Sequence, residues 1–241
     1  MFQPIYYVTG SLGSVEKSVQ MMEQYMLHGA RAFQVDMPSQ NPVYETDLIK
    51  QAMQDALKRY DGYEPYMDSF CALRQRHPEV VLHCVLYPDV IRAIGMERLT
   101  GFVKEAGVST VMVAGGDAET LALLAGHHIA TIGRIDKNLL DDQLKKISLE
   151  SPDRYYNFNY KHHREQAPHG CETFQQKIAY IRNAGVRAKI LAVEGVKNGD
   201  MMREVKQAGT DGALVGNALM NLWNDETALW ELFEQFQAFA C

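Results

Sequence analysis

Gln34 and Asp36 stand two residues apart in the run Ala32-Phe33-Gln34-Val35-Asp36-Met37. Side chains of an extended chain alternate in direction, so these two polar groups share one face and Phe33 and Val35 share the other. Polar groups in a buried strand need partners. The Asp36 carboxylate is a candidate for moving a proton; the Gln34 carboxamide is not, because it does not titrate near neutral pH. A second grouping lies far along the chain. Gly195 follows the apolar run Lys189 to Val193, and Gly216-Asn217 follow Gly212 to Val215. Glycines at strand ends let backbone N–H groups approach an anion, and a helix opening there adds a favourable dipole. Gly195, Gly216 and Asn217 therefore make a candidate phosphate cradle. The basic run Lys161-His162-His163-Arg164 offers Lys161 and Arg164 as further phosphate contacts. Adjacent histidines on an extended chain point apart, so His162 and His163 make a poor metal site, and no metal is expected. Arg134 is a further candidate, suited to a carboxylate or a phosphate on the substrate. Glu194 has the wrong sign beside a phosphate, so it must pair with a cation such as Arg134 or Lys161, or turn to the helix side.

Groups at strand ends need a scaffold that points those ends one way. Short apolar runs alternate with amphipathic helical patterns along the whole chain, the signature of parallel βα units. The predicted strands are Ile5 to Thr9, Ala32 to Met37, Val80 to Leu86, Thr110 to Ala114, Ile129 to Ile132, Tyr155 to Tyr160, Lys189 to Val193 and Gly212 to Val215. The predicted helices are Ser14 to His28, Leu48 to Tyr60, Tyr66 to Arg76, Met96 to Ala106, Glu119 to Ala125, Leu139 to Leu149, Thr173 to Ala184, Asp200 to Ala208 and Glu226 to Phe239, with a short helix opened by Gly216-Asn217. Eight strands of this kind predict an α/β fold, a (β/α)8 TIM barrel, as a single domain over residues 1–241. Barrel sites lie at the C-terminal ends of strands, where the candidate residues cluster.

With 241 residues the chain is long enough for one such barrel. Its net charge is −6 and no Lys/Arg block stands out, which argues against a nucleic-acid partner. No apolar run approaches the ~18 residues of a membrane span, and the first residues read as a strand rather than a signal peptide. Cys71, Cys84, Cys171 and Cys241 form no C-x-x-C pair, so they are expected to be free structural thiols in a cytoplasmic protein.

The strand Ala32 to Met37 with the loop Pro38 to Pro42, taken together with Gly195 and Gly212-Ala213-Leu214-Val215-Gly216-Asn217, resembles the tryptophan synthase α subunit family over roughly residues 4–223. The resemblance implies the barrel, a carbon–carbon lyase reaction in tryptophan biosynthesis, and a phosphorylated substrate such as indole-3-glycerol phosphate. It implies that the glycerol phosphate lies on Gly195, Gly216 and Asn217. Gln34 falls where the family has its catalytic glutamate, Asp36 on a family glycine, and Glu45 where the family has its catalytic aspartate. Glu45 is then expected to hold the indole nitrogen, and Asp36, or Glu194, to supply the other proton transfer. Tyr7, Tyr87 and Tyr156 match substrate-lining positions, where a phenol can orient a polyol or donate to an oxyanion. Gly115-Gly116 stand where the family has an aspartate, so the pocket's polar floor differs. No cofactor is implied. The implied partner is a β-like subunit, pyridoxal-phosphate-dependent in the family, or a second copy of the chain. Two alternatives remain: a barrel without catalysis that regulates such a partner, and a phosphosugar isomerase or epimerase working through Asp36 and Glu194.

Overall fold

The computed structural model describes residues 2–43, 45–161 and 167–240. The expectations for His162, His163, Arg164 and Cys241 lie outside the described residues. In chain order the elements are β1 (Gln3–Val8), α1 (Val15–Leu27), β2 (Ala32–Asp36), α2 (Asp47–Arg59), α3 (Glu64–Arg76), β3 (Val81–Leu86), α4 (Pro88–Ile94), α5 (Met96–Glu105), β4 (Val108–Val113), α6 (Ala118–Gly126), β5 (Gly133–Arg134), α7 (Asp141–Ser148), β6 (Tyr155–Asn159), α8 (Phe174–Asn183), β7 (Lys189–Val193), α9 (Gly199–Gln207), β8 (Gly212–Val215), α10 (Asn217–Met220) and α11 (Glu226–Gln237). The strands form one sheet in the order β4-β3-β2-β1-β8-β7-β6-β5, with every described pairing parallel. Thr131, two residues before β5, bridges Val111 of β4. That is the neighbour order of a (β/α)8 barrel.

Helix starts are set by short polar side chains. Ser14, Thr46, Asp117, Thr173, Asn198 and Asp225 each accept from a backbone N–H of the first turn that follows. Thr173 and Gln176 close a reciprocal capping box.

The fold corrects two readings. The fifth strand is Gly133–Arg134, not Ile129 to Ile132. Ile129 and Ile132 are apolar because they are buried, but the chain turns into this stretch through His128 at φ 59°. There only the Ala130 carbonyl and Thr131 meet β4. Pairing with β6 begins at Gly133, where a Cβ would lie 2.3 Å from the Tyr156 ring. Only a glycine lets the two strands come together there. The second correction is α4. Its seven residues begin at Pro88 and end at Gly95, φ 79°, which also opens α5. Two turns are too short to show a helical period.

The chain divides into two compact units, Tyr7–Thr131 and Met1–Tyr6 with Ile132–Cys241. In the first, α1 packs on α3, and Gln34, His83 and Thr110 are in register on three neighbouring strands. His83 Nδ1 lies 2.7 Å from Thr110 Oγ1, so this level of the sheet is polar although buried. In the second, Phe158 of β6 stacks on Phe174 of α8 at 5.7 Å, and Tyr6 stacks on Phe233 of α11 at 4.7 Å. These contacts fix which face of each strand meets the helices.

Candidate active site

Asp36 ends β2 fully buried, and its partners come from the end of β1. Tyr7 donates its hydroxyl proton to Oδ2 in a short hydrogen bond. Oδ1 accepts from Thr9 Oγ1 at 2.9 Å and from the Gly10 amide at 2.9 Å. Gly10 is required for the approach, because a Cβ there would stand 2.7 Å from the Asp36 carbonyl oxygen. Burial pushes the Asp36 carboxyl up to about 6, against the pull of Tyr7, Thr9 and Gly10, which favour the charged form.

Glu45 arrives from the loop between β2 and α2. The loop is held by Asp89 in the first turn of α4, whose carboxylate accepts from Ser39 Oγ at 2.8 and 2.9 Å and from the Gln40 amide at 2.9 Å. Tyr63 adds a bond to the Pro38 carbonyl at 3.1 Å. Tyr87, which ends β3, then donates to Glu45 Oε1 at 2.8 Å. Burial first, and then the charge of Asp36, lift the Glu45 carboxyl to about 7; the hydrogen bond from Tyr87 and the charge of Lys50 oppose the rise. Tyr7 itself is pushed well above the usual phenol range, by burial first and then by Asp36 and Glu45, so it remains a neutral donor. Two carboxyls poised near neutrality, each held by a phenol, can serve as acid and base in one reaction.

The Tyr7–Thr131 unit thus holds two hydrogen-bonded pairs, Tyr7 with Asp36 and Tyr87 with Glu45. Gln34 is buried one pleat deeper, in register with His83. Thr9 and Gly10 escaped the sequence reading. The Thr-Gly pair directly after the first strand was the available signal, because a small donor-bearing turn beside a strand carboxylate is a ready partner for it.

In the other unit, Gly195 follows β7 at φ 108°, where a Cβ would lie 3.1 Å from the Lys161 backbone. The Lys161 amide donates to the Glu194 carbonyl at 2.7 Å, which locks the two strand exits together. Glu194 sits at φ 56°, a left-handed conformation unusual for a side chain of its size. Its carboxylate pairs with Arg134 at 3.5 Å, both half-exposed. Gly216 precedes α10, and Asn217 is the exposed first residue of that helix. First-turn amides have no acceptor within a helix, so Gly216 and Asn217 bring donors to this strand end. Tyr156 lies elsewhere. It alternates in step with Phe158, which faces α8. Asn157 and Asn159 occupy the opposite face of β6, both buried, and the sequence reading passed over them. Among the described residues no group of three His, Cys, Asp or Glu side chains is placed to hold a metal, and no helix is long and apolar enough to cross a membrane.

Comparison with known proteins gives a consistent result. A family model described as tryptophan synthase alpha chain matches residues 3–238. The tryptophan synthase alpha chain of Erwinia tasmaniensis is 24% identical over 225 residues, covering 90% of this chain and 82% of that protein. The one from Cronobacter sakazakii is 23% identical over 245 residues, covering 95% and 88%. The crystal structure of tryptophan synthase subunit alpha from Legionella pneumophila superposes with a TM-score of 0.77 at 17% identity, over 98% of this chain and 92% of that one. A structure from Aquifex aeolicus gives 0.81 at 18% identity, over 98% and 92%. The fold is the (β/α)8 barrel.

Proposed function

Because the chain belongs to the tryptophan synthase alpha chain family, we propose that it is a carbon–carbon lyase that cleaves a phosphorylated small molecule by a retro-aldol step, with indole-3-glycerol phosphate or a relative as substrate. The observation that carries this reading is the Asp36–Tyr7 and Glu45–Tyr87 group at the exits of β1, β2 and β3. Gln34 cannot supply the proton transfer that a glutamate at its position would, and Asp36 offers a carboxylate on the same face two residues later.

In the proposed reaction Asp36 takes the proton from the substrate hydroxyl on the carbon next to the bond that breaks. The oxygen collapses to a carbonyl, the bonding electrons pass to the ring carbon, and that carbon takes up a proton equivalent to the one Asp36 removed, which Asp36 returns. Glu45 accepts the hydrogen bond of the ring nitrogen while this happens. Tyr7 and Tyr87 keep the two carboxyls oriented. Gly195, Gly216 and Asn217 are proposed to hold the phosphate through backbone donors, with Lys161 and Arg164 adding positive charge. Pairing of Glu194 with Arg134 supports this part, since it offsets the one carboxylate beside the glycines. The two compact units are proposed to act as one barrel domain in the cytoplasm.

A partner is also proposed, a β-like subunit or a second copy. Val43, Leu48, Leu121 and Leu123 are exposed large apolar side chains, and Val43 lies against Gly115, where a Cβ would be 3.0 Å from it. Val43 of the loop and Leu121 and Leu123 of α6 each present apolar surface.

The test is an indole-release assay with indole-3-glycerol phosphate on wild type, Gln34→Glu and Asp36→Asn. Activity in wild type that disappears in Asp36→Asn is the expected result. Activity only in Gln34→Glu would mean that the pocket accepts the family substrate but Asp36 is not the base. Silence in all three would overturn the substrate, and turnover of a phosphosugar without cleavage would replace the lyase with an isomerase.

A further inference from the structure

We propose that Thr9 is a positioning residue that, together with the Gly10 amide, fills Oδ1 of Asp36, so that a proton taken from substrate goes to Oδ2. This rests on the reading of Asp36 as the base of the site, and it names the atom that acts.

The donors on the two oxygens are unequal. A carboxylate offers about four acceptor positions, shared evenly between its oxygens. Oδ1 receives Thr9 Oγ1 at 2.9 Å and the Gly10 amide at 2.9 Å, which uses both of its positions. Oδ2 receives the Tyr7 hydroxyl, which leaves one position open. The donors on Oδ1 are also fixed in direction. An amide can only donate. Thr9 Oγ1 accepts from the Ser11 amide at 3.2 Å, which turns its own proton towards Asp36. Ser18 of α1 donates to the Thr9 carbonyl at 2.7 Å and ties this turn to the helix. Thr9, Ser11, Ser18 and Asp36 are all buried, so bulk water does not compete for these groups.

A proton placed on Oδ1 faces the N–H of Gly10 and breaks a buried hydrogen bond. On Oδ2 the proton meets only a hydroxyl, which can accept as well as donate. The consequence for catalysis is direct. An Oδ2–H bond forms as the O–H bond of the substrate breaks, and the pair of electrons left on the substrate oxygen becomes part of its carbonyl. The same Oδ2 then returns the proton to the carbon of the broken bond. Asp36 ends as it began, and no other reactant is needed. The end of β1 thus divides two tasks between neighbours. Thr9 and Gly10 hold the carboxylate, and Tyr7 stands beside the oxygen that reacts.

Infrared spectra of the whole chain, labelled with carbon-13 in the aspartate carboxyls, test this without any substrate. The label separates Asp36 from Glu45, and subtraction of Asp36→Asn isolates its band. At pH ~5 Asp36, lifted to about 6, is mostly protonated, and exposed aspartates are charged. With the proton on Oδ2 the double bond runs to Oδ1, and hydrogen bonds to a carbonyl oxygen lower its stretching frequency. Thr9→Val is expected to raise the Asp36 carbonyl frequency, Thr9→Ser to restore it, and Tyr7→Phe to leave it near the wild-type value. A band that Thr9→Val does not move overturns the proposal, and so does one that Tyr7→Phe raises as far. If Thr9→Val fails to fold, Tyr7→Phe decides: a raised band overturns the assignment and an unmoved band upholds it. Carbon-13 NMR titration of the same samples adds a second readout. The Asp36 midpoint is expected to rise by about one pH unit in Thr9→Val, which loses a donor to the charged form, and to hold in Thr9→Ser. A midpoint unmoved in Thr9→Val also overturns the role of Thr9. The expected infrared pattern without indole release would leave the Oδ2 assignment standing and remove the lyase reading. Indole release with the reverse pattern would do the opposite.

Discussion

Asp36 and Gly195 each follow or end a strand, yet the candidate sites around them are made of different material. Around Asp36 the donors are mostly side chains, drawn from β1 and supported by a loop tied to α4, and every one of them is enclosed. Around Gly195 and Gly216 the proposed donors are backbone amides, and the charged side chains nearby, Arg134 and Glu194, are half-exposed. A site of side chains depends on the identity of each residue and on long-range packing. A site of backbone depends only on keeping side chains out and on local φ and ψ. Substitution should therefore hurt the first through chemistry and the second through conformation.

The largest effect is expected at Asp36. Asp36→Ala leaves the Tyr7, Thr9 and Gly10 donors without an acceptor, which costs about 3 kcal/mol, and removes a proton-transfer group worth ~100-fold or more in rate. Urea unfolding and indole release measure the two; a stable, active Asp36→Ala would end the idea of a side-chain-built site. Next comes pH. The folded Asp36 carboxyl, at about 6, lies above its unfolded value near 4, so the folded chain holds this proton more tightly. Its contribution is complete below pH ~4 and is lost as pH rises through about 6, a change of roughly 3 kcal/mol. Asp36→Asn should remove that part of the pH dependence, and parallel stability curves for the two proteins would contradict it.

Gly10→Ala tests the same site through its one backbone donor. A Cβ 2.7 Å from the Asp36 carbonyl must push β1 from β2, at about 2 kcal/mol. Gly195→Ala carries the comparison to the other site. With φ at 108° and the Lys161 backbone 3.1 Å from the new Cβ, it should cost about 1–2 kcal/mol. Affinity for inorganic phosphate, read by calorimetry, should fall about tenfold while the carboxyl titrations stay as they are. Unchanged phosphate binding would take Gly195 out of the cradle. Arg134→Ala is expected to be the smallest, under about 0.5 kcal/mol in thermal unfolding, because its ion pair with Glu194 is half-exposed. A larger loss would show that Arg134 has a structural task beyond that pair.

Much of this was legible in the chain. Residue alternation placed Gln34 and Asp36 on one face, and apolar runs set β7 and β8 at the bounds the structure has. Local rules suffice there, since a period of two and a glycine at a strand exit are properties of short stretches. They misled at Ile129 to Ile132, where burial with a single isolated bridge looks like a strand, and they missed α4, too short for a period. Tyr156 has the same cause: composition cannot tell which face of β6 meets α8, and Phe158 stacking on Phe174 decides it.

The sequence by itself determined the alternation of strands and helices, the family, the carboxylate on β2 and the glycines after β7 and β8. Tertiary structure decided that Tyr7, Thr9 and Gly10 close on Asp36, that Tyr87 reaches Glu45 through a loop fastened to Asp89, and that Arg134 takes up Glu194. These partners are distant along the chain. Their meeting is fixed by strand register and by the cost of leaving a buried charge unpaired, neither of which any short stretch of sequence records.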